Sequence, residues 1–321
     1  MRVAVLGGGT SSEHDVSLRS AASVANGLRE AGHEPVEVTI GRDGRWLADG
    51  EPVVVTPAEG LLGADAVFPV LHGPGGEDGS VQGLLEVLDL PYVGSDVEAS
   101  AVCMDKLVFK DLLGRYGIPQ VEFCSAGEDG WEERAASFGQ PVWVKPARLG
   151  SSVGISPAGA PQELSRAVEA ARRHDPKVIV EAAASGKEVE CSLLGNDDPL
   201  ASVPGEIVTR ASDWYDFEAK YAEGGMELVV PAGISEGARE RVRELARAVF
   251  TLCGCSGLAR CDFFVDGEEV LVNELNTIPG FTETSVYGKL LEADGIGYPE
   301  LCDRLVQLAV ERYERNRAYE F

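Results

Sequence analysis

Two apolar segments near the C-terminal end of the chain, Gly257–Val265 and Glu269–Glu274, are joined by Asp266-Gly267. An Asp-Gly pair between such segments reads as the turn of a β-hairpin. The first segment carries Arg260-Cys261-Asp262, and the second runs out through Glu274-Leu275-Asn276. Residues two apart on a strand share a face, so Arg260 pairs with Asp262 and Glu274 with Asn276. If the turn sets Asp262 opposite Glu274, Arg260 falls opposite Asn276 and all four side chains converge. A slip of one residue would send the two pairs to opposite faces. Two carboxylates and an amide form a hard oxygen set of the kind Mg²⁺ takes together with substrate phosphates. A salt-bridged hairpin is the alternative.

Upstream of this hairpin, strand and helix patterns alternate. Val3–Leu6 is a short apolar run, followed by Gly7-Gly8-Gly9-Thr10-Ser11-Ser12. A helical pattern follows with Leu18, Ala21, Ala22, Ala25 and Leu28 on one face, stopped by Gly32. Pro35–Ile40 and Asp65–Leu71 read as strands and Val81–Leu88 as a helix. This alternation argues for a parallel α/β sheet. The middle third, from about Ser95, reads as a smaller α+β unit. Its helices are Lys106–Tyr116 and Leu164–Arg173, and its strands are Pro141–Lys145, Lys177–Glu181 and Glu188–Leu194. The last third opens with a strand at Ala201–Ile207. A polar stretch from Thr209 to Met226 then reads as a lid or binding loop. Helices at Arg239–Cys253 and around Leu301, Leu305, Leu308 and Ala309 complete the pattern.

Composition removes several classes of function. With 28 Lys plus Arg against 53 Asp plus Glu, the net charge is −25. A phosphate backbone or anionic membrane surface needs a basic face, so neither nucleic acid nor membrane is expected as a partner. No apolar run approaches the ~20 residues of a bilayer span. The 7 Cys show no C-x-x-C spacing and are expected to be buried, reduced thiols of a cytoplasmic protein.

The glycines at 7–9 lack the third Gly of a dinucleotide fingerprint, because position 12 is Ser12. What remains is a small polar loop at a helix N-terminus, where Glu13, His14 and Asp15 suit the ammonium of an amino acid better than a bare phosphate. His72-Gly73-Pro74-Gly75-Gly76-Glu77-Asp78-Gly79 lies just past a strand's carboxyl end, where open α/β sheets bind ligands, although a plain Gly/Pro turn fits as well. Lys145 precedes the stretch Arg148-Leu149-Gly150-Ser151-Ser152-Val153-Gly154, whose amides and hydroxyls can wrap phosphates. Lys106 is a second cation for that role, and a solvated surface lysine is the alternative for each. Glu181 and Glu188 could read an adenine amino group or ribose hydroxyls. No nucleophile–base pair stands out, so the set points to phosphoryl transfer from ATP, where catalysis is positioning plus electrostatics.

In order and spacing these clusters resemble the D-alanine–D-alanine ligases of the ATP-grasp superfamily over nearly the whole chain. The match runs through Gly7-Gly8 with Ser12-Glu13-His14-Asp15-Val16-Ser17, then His72-Gly73 with Gly76-Glu77-Asp78-Gly79. It continues through Met104-Asp105-Lys106, Lys145-Pro146 with Gly150-Ser151-Ser152-Val153-Gly154, and Lys220-Tyr221. It ends with Arg260-Cys261-Asp262 and Asn273-Glu274-Leu275-Asn276-Thr277, followed by Pro279-Gly280-Phe281-Thr282 and Ser285.

The resemblance implies a mixed α/β (α+β in parts), three-domain ATP-grasp architecture with an N-terminal parallel α/β domain. Residues 1–94 would form the Rossmann-like first-substrate domain. Residues 95–188 would form the central nucleotide-binding domain, and 189–321 the C-terminal domain with the metal site and a mobile lid over Asp213–Glu223. It implies ATP held by Lys106, Lys145, Ser151, Ser152, Lys220, Asn273 and Glu274. Glu181 and Glu188 would hold adenine and ribose, with backbone groups of Ala182 and Ala184 facing the base. Two Mg²⁺ (or Mn²⁺) ions would sit on Asp262, Glu274 and Asn276. Glu13, with His72 nearby, would take the ammonium of the first D-alanine, and Ser285 the carboxylate of the second, beside Val286. Arg260 and the Gly280 amide would stabilise the tetrahedral oxyanion. Tyr221 would hydrogen-bond toward Ser151 and Glu13. The implied product is D-alanyl-D-alanine for peptidoglycan, or a product with D-serine, D-lactate or another amino acid as acceptor. A homodimer is the family's expected assembly. Gly288 and Val286 depart from residues common in the family, and both lie beside Ser285.

Overall fold

A computed structural model describes residues 1–57, 60–150, 153–209 and 226–319. Among these residues the chain forms fifteen strands in three sheets, with nine helices. The first sheet holds β1 (Arg2–Gly8), β2 (Glu34–Ile40), β3 (Trp46–Ala48), β4 (Glu51–Pro52) and β5 (Ala66–Pro69), in the order β4-β3-β2-β1-β5. β1 runs parallel to both β2 and β5, as the strand–helix alternation requires, while β3 and β4 add an antiparallel edge. β1 is buried from Val3 to Gly8, which is why it reads as an unbroken apolar run rather than an alternating one.

Helix α1 (His14–Glu30) packs on this sheet, and its buried face differs from the expected one. Ser17, Ser20, Ala21, Val24, Ala25 and Leu28 are buried, whereas Ala22 is exposed and Leu18 only half-buried. Serines can occupy that face because each hydroxyl has a partner. Ser17 Oγ accepts from the Gly8 amide and donates to the Val70 carbonyl. The glycine run is explained here by packing: at Gly8, with φ of 97°, a Cβ would lie 2.2 Å from the Ile40 carbonyl oxygen.

After α2 (Ser80–Val87) come α3 (Val97–Met104) and α4 (Lys106–Arg115). α3 is a helix that the periodicity did not reveal. It is short, apolar on most sides, and capped by the Asp96 carboxylate on the Ala99 amide. The second sheet has the order β6-β9-β7-β8, from β6 (Phe123–Ser125), β7 (Val142–Pro146), β8 (Ser156–Ala158) and β9 (Val178–Ala182). One face, with Val142, Val144, Val178 and Val180, is buried under α5 (Trp131–Ser137) and α6 (Pro161–Arg172). Period-two alternation leaves Trp143, Lys145, Ile179 and Glu181 on the other face.

The third sheet runs β13-β12-β10-β14-β15, with β11 also on β10. Its strands are β10 (Lys187–Gly195), β11 (Leu200–Ala201), β12 (Gly205–Thr209), β13 (Met226–Val229), β14 (Gly257–Asp266) and β15 (Glu269–Asn276). The single strand expected over Ala201–Ile207 is two strands, separated at Ser202–Pro204, where proline has no N–H to give a ladder. Helix α7 (Glu236–Leu252) buries Val242, Leu245, Ala246 and Val249 against this sheet, in a core shared with Phe109 and Leu113 of α4. Helix α8 (Val286–Ala293) follows the hairpin, and α9 (Tyr298–Arg317) returns to the first sheet. Leu301 and Leu305 of α9 pack with Val3, Val5 and Phe68, and the buried Arg312 donates to the carbonyls of Gly94 and Tyr92. On α9, Leu308 is half-buried and packs against the edge of this core, and Arg312 is buried one turn on.

Candidate active site

The hairpin brings the two pairs together through a one-residue shift of register rather than by unbroken alternation from its turn. Asp262 pairs with Glu274 and Arg260 with Asn276, so the four side chains lie on one face. A bulge follows between Asp262 and Phe263, where the partner jumps from Glu274 to Val272 and leaves Asn273 as the extra residue. Bulges re-aim side chains at sheet positions beside functional sites. Here both Asn273 and Glu274 line the same cleft.

Arg260 is locked by carboxylates. Its Nε lies 2.7 Å from Asp262 Oδ1 and 2.9 Å from Glu190 Oε2, and its Nη2 lies 2.7 Å from Asp262 Oδ2. Burial opposes the charge, but Asp262 and Glu190 outweigh it and hold the guanidinium pKa well above its usual value. Asn276 Nδ2 donates to Asp262 Oδ2 at 3.0 Å. Glu190 was not anticipated from the sequence. It sits opposite Asp262 on β10 and two residues from Glu188, so the same alternation could have found it.

Facing this hairpin, the polar side of the second sheet supplies Lys145 and Glu181, and α4 supplies Lys110. Lys145 Nζ lies 2.6 Å from Glu181 Oε2, and Lys110 Nζ lies 3.1 Å from Glu181 Oε1. Burial opposes ionisation of Glu181, yet the two ammonium groups outweigh it and hold the carboxyl down at about 2. Burial likewise works against Lys145, and Glu181 overcomes it, so that lysine's pKa is raised. Burial wins at Lys110, which is 1% exposed, and lowers its pKa against the pull of Glu181. Lys110 is the second residue the sequence analysis missed. It lies one helical turn beyond Lys106 on α4, which is the signal that could have flagged it. Glu181 therefore meets the site as the counterion of two lysines.

Lys106 opens α4, whose N-cap Asp105 accepts the amides of Leu107 and Val108. Its Nζ donates to the Leu149 carbonyl at 3.1 Å and lies 3.4 Å from Glu274 Oε2. The loop leading to Gly150 is pinned just before, where the Arg148 guanidinium grips both oxygens of Asp175. A cleft of about 290 Å³ lies between the two sheets, lined by Lys106, Lys145, Glu181, Ala182, Ala184, Glu188, Asp262, Asn273 and Glu274. Trp143 and Phe264 supply aromatic faces in the same wall.

A second cleft of about 680 Å³ joins it, sharing Gly150, Glu190 and Glu274. Glu13, His72, Glu77, Arg260, Asn276, Gly280, Ser285 and Val286 line it. Glu13 is buried at the start of α1, and its Oε2 would stand 3.0 Å from a Cβ at Gly73 and 3.3 Å from one at Gly150. His72 is buried, and burial lowers its pKa despite the nearby Glu13. Ser285 stands at the N-cap position of α8 without a side-chain capping bond, and its Oγ accepts from the Thr282 amide at 2.9 Å. All of the anticipated site residues that the structure describes thus border one continuous space. Ser151, Ser152, Lys220, Tyr221 and the Asp213–Glu223 segment lie outside the described residues. None of the nine described helices is long and apolar enough to cross a membrane.

Family comparison agrees with this geometry. The family model described as "D-ala D-ala ligase C-terminus" matches residues 112–307. The one described as "D-ala D-ala ligase N-terminus" matches 2–60 and 51–95. The D-alanine–D-alanine ligase of Deinococcus radiodurans is 47% identical, over 97% of this chain and 98% of its own. Among solved structures, the D-alanine–D-alanine ligase of Coxiella burnetii is 36% identical with a TM-score of 0.89, covering 99% of this chain and 96% of that one. The VanG D-Ala:D-Ser ligase of Enterococcus faecalis is 34% identical with a TM-score of 0.86, covering 96% and 99%. The fold is the ATP-grasp fold, and the chain belongs to the D-alanine–D-alanine ligase family of ATP-dependent, peptide-bond-forming enzymes.

Proposed function

We propose that the chain joins two D-alanine molecules into D-alanyl-D-alanine at the expense of ATP, supplying a peptidoglycan precursor in the cytoplasm. The observation that carries this is the pairing of Asp262 with Glu274, opposite a bank of lysines and open to an amino-acid-sized cleft. In the first step a carboxylate oxygen of one D-alanine attacks the γ-phosphorus, ADP leaves and an acyl phosphate forms. In the second, the amine of another D-alanine attacks the acyl carbon and inorganic phosphate departs.

Lys106 and Lys145 hold phosphate charge, with the Ser151-Ser152 loop and Lys220 completing the grip. Glu188, the Ala182 and Ala184 backbone and Asn273 hold the nucleoside, between Trp143 and Phe264. The carboxylates of Asp262 and Glu274 and the amide oxygen of Asn276 are a donor set that fits Mg²⁺ or Mn²⁺. When bound, the metal would neutralise phosphate charge. Glu13 takes the first ammonium, Ser285 the second carboxylate, and Tyr221 closes toward Ser151 and Glu13. The Arg260 guanidinium and the Gly280 N–H stabilise charge that grows on the acyl oxygen, an effect often worth a few kcal/mol.

We place the domain boundaries at about 94 and 188; the strands of the first sheet end at Pro69, and the second boundary falls within the first two residues of β10, the strand Lys187–Gly195. All seven cysteines are buried free thiols, which suits a reducing compartment. A homodimer is the assembly we propose, and light scattering tests it. The test of function is phosphate release with ATP, Mg²⁺ and a panel of acceptors: D-alanine, D-serine and D-lactate. D-Alanine should be preferred; faster turnover with either rival would replace the acceptor assignment. Glu274→Gln should lose turnover by about three orders of magnitude with the fold intact, and normal turnover would remove the metal assignment.

A further inference from the structure

Gly280 lies in the turn Ile278-Pro279-Gly280-Phe281, and the peptide groups on either side of it are held by side chains from the far end of the sequence. His72 Nδ1 lies 3.0 Å from the Ile278 carbonyl oxygen. A carbonyl only accepts, so Nδ1 carries the proton. Burial keeps the ring neutral, which leaves Nε2 bare. Nε2 lies 3.0 Å from Ser20 Oγ, and the serine hydroxyl must therefore donate to it. With its proton spent, Ser20 Oγ accepts from the Phe281 amide at 3.4 Å. The bonds close a ring running in one sense, from Phe281 N–H to Ser20, from Ser20 to His72, and from His72 to the Ile278 carbonyl. Ser20 is wholly buried and His72 is 4% exposed, so water does not compete for these groups. Both ring nitrogens of His72 are committed within the protein.

We infer that Ser20 is a positioning residue for ligation, which through His72 fixes the Ile278–Phe281 turn and aims the Gly280 N–H at the reacting acyl oxygen. The inference rests on the oxyanion role proposed for Gly280. Alanine at position 20 removes both the donor to His72 and the acceptor for Phe281. The turn then keeps its chain path and loses its aim, so kcat suffers more than ATP binding.

The test uses Ser20→Ala, His72→Asn and the double variant, with ¹⁵N-histidine spectra of the wild type and Ser20→Ala. Wild-type His72 should show the Nδ1–H tautomer, uncommon in water. Ser20→Ala should keep that tautomer, because the Ile278 carbonyl still accepts, while the Nε2 resonance moves as its hydroxyl donor is lost. Ser20→Ala should lower kcat about tenfold with KM for ATP changed less than twofold. In the His72→Asn background the same substitution should cost less than twofold, because the ring is already open. A wild-type Nε2–H tautomer, or a full tenfold loss in both backgrounds, would overturn the inference. The tautomer is read without substrate. A chain that released no phosphate with D-alanine would therefore count against the proposed function and leave the ring intact.

Discussion

Two glutamates in neighbouring clefts meet opposite fates. Glu181, 2% exposed on the nucleotide side, is held ionised with a pKa of about 2. Glu77, on the amino-acid side and less completely covered, is raised to about 8. Burial penalises ionisation of both. Glu181 has the ammonium groups of Lys110 and Lys145 within 3.1 Å, and they overcome the penalty. Glu77 has burial and the negative charge of Glu13 against it, and only the amides of Gly73 and Ile278 in its favour. Burial therefore does not set the protonation state of a carboxyl; the partners buried with it do. The functional sense of the difference is plain. A polyphosphate site needs fixed cations with their counterion in place. A site that binds zwitterions beside Glu13 gains nothing from a second carboxylate charge.

The strongest attack on this comparison is Glu181→Gln, which strands two lysines without their counterion. Urea unfolding at pH 7 should show a loss of about 3–5 kcal/mol. A loss under ~1 kcal/mol would mean that Glu181 is not holding the lysines. The folded pKa lies below the unfolded one, so this contribution is complete above pH ~4.5 and fades as pH falls toward 2. The gap between variant and wild type should narrow over that window. Lys110→Met leaves Glu181 with Lys145 and fills the space with an apolar side chain. Its cost should be about 1–3 kcal/mol by thermal melting.

Glu77→Gln probes the other side. The native state keeps a proton on Glu77 from the unfolded value of 4.5 up to about 8, so wild-type stability falls as pH rises through that range. Glutamine imitates the protonated group. Relative to wild type the variant should gain about 1–2 kcal/mol between pH 5 and 8.5, well under the full linkage of the shift because the group keeps some solvent contact. A flat difference across that range would place Glu77 among ordinary carboxylates. Lys187→Ala is the solvent-exposed reference. Its side chain is 43% exposed although that of its partner Glu206 is only 12% exposed, and its loss should lower stability by less than ~1 kcal/mol.

Much of the site was legible because its signals are local. The hairpin, and the shared face of Arg260 with Asp262 and of Glu274 with Asn276, follow from an Asp-Gly turn and a period of two, both contained in about twenty residues. An unbroken ladder from that turn would set Asp262 opposite Asn273, and only the bulge brings Glu274 there. Lys106 and Lys145 stand at element ends, where the sequence marks them. Glu190 and Lys110 went unread although their spacing from Glu188 and Lys106 carried the signal. The buried serines of α1 were hidden for a different reason. Hydrophobic periodicity cannot see a polar residue whose partner is on another element, and Ser20 has its partner on His72. The bulge that turns Asn273 and Glu274 into one cleft left no mark in composition either.

The order of residues, by itself, determined which chemical groups exist and which of them share a strand face, since backbone periodicity reaches only a few positions along the chain. Charge states, the His72 tautomer and the junction of the two clefts were decided by the tertiary structure. His72 meets Ile278 across 206 positions, and Phe281 meets Ser20 across 261. Desolvation and hydrogen bonding act over a few ångströms of space, so they take their sign from neighbours that only the folded chain brings together.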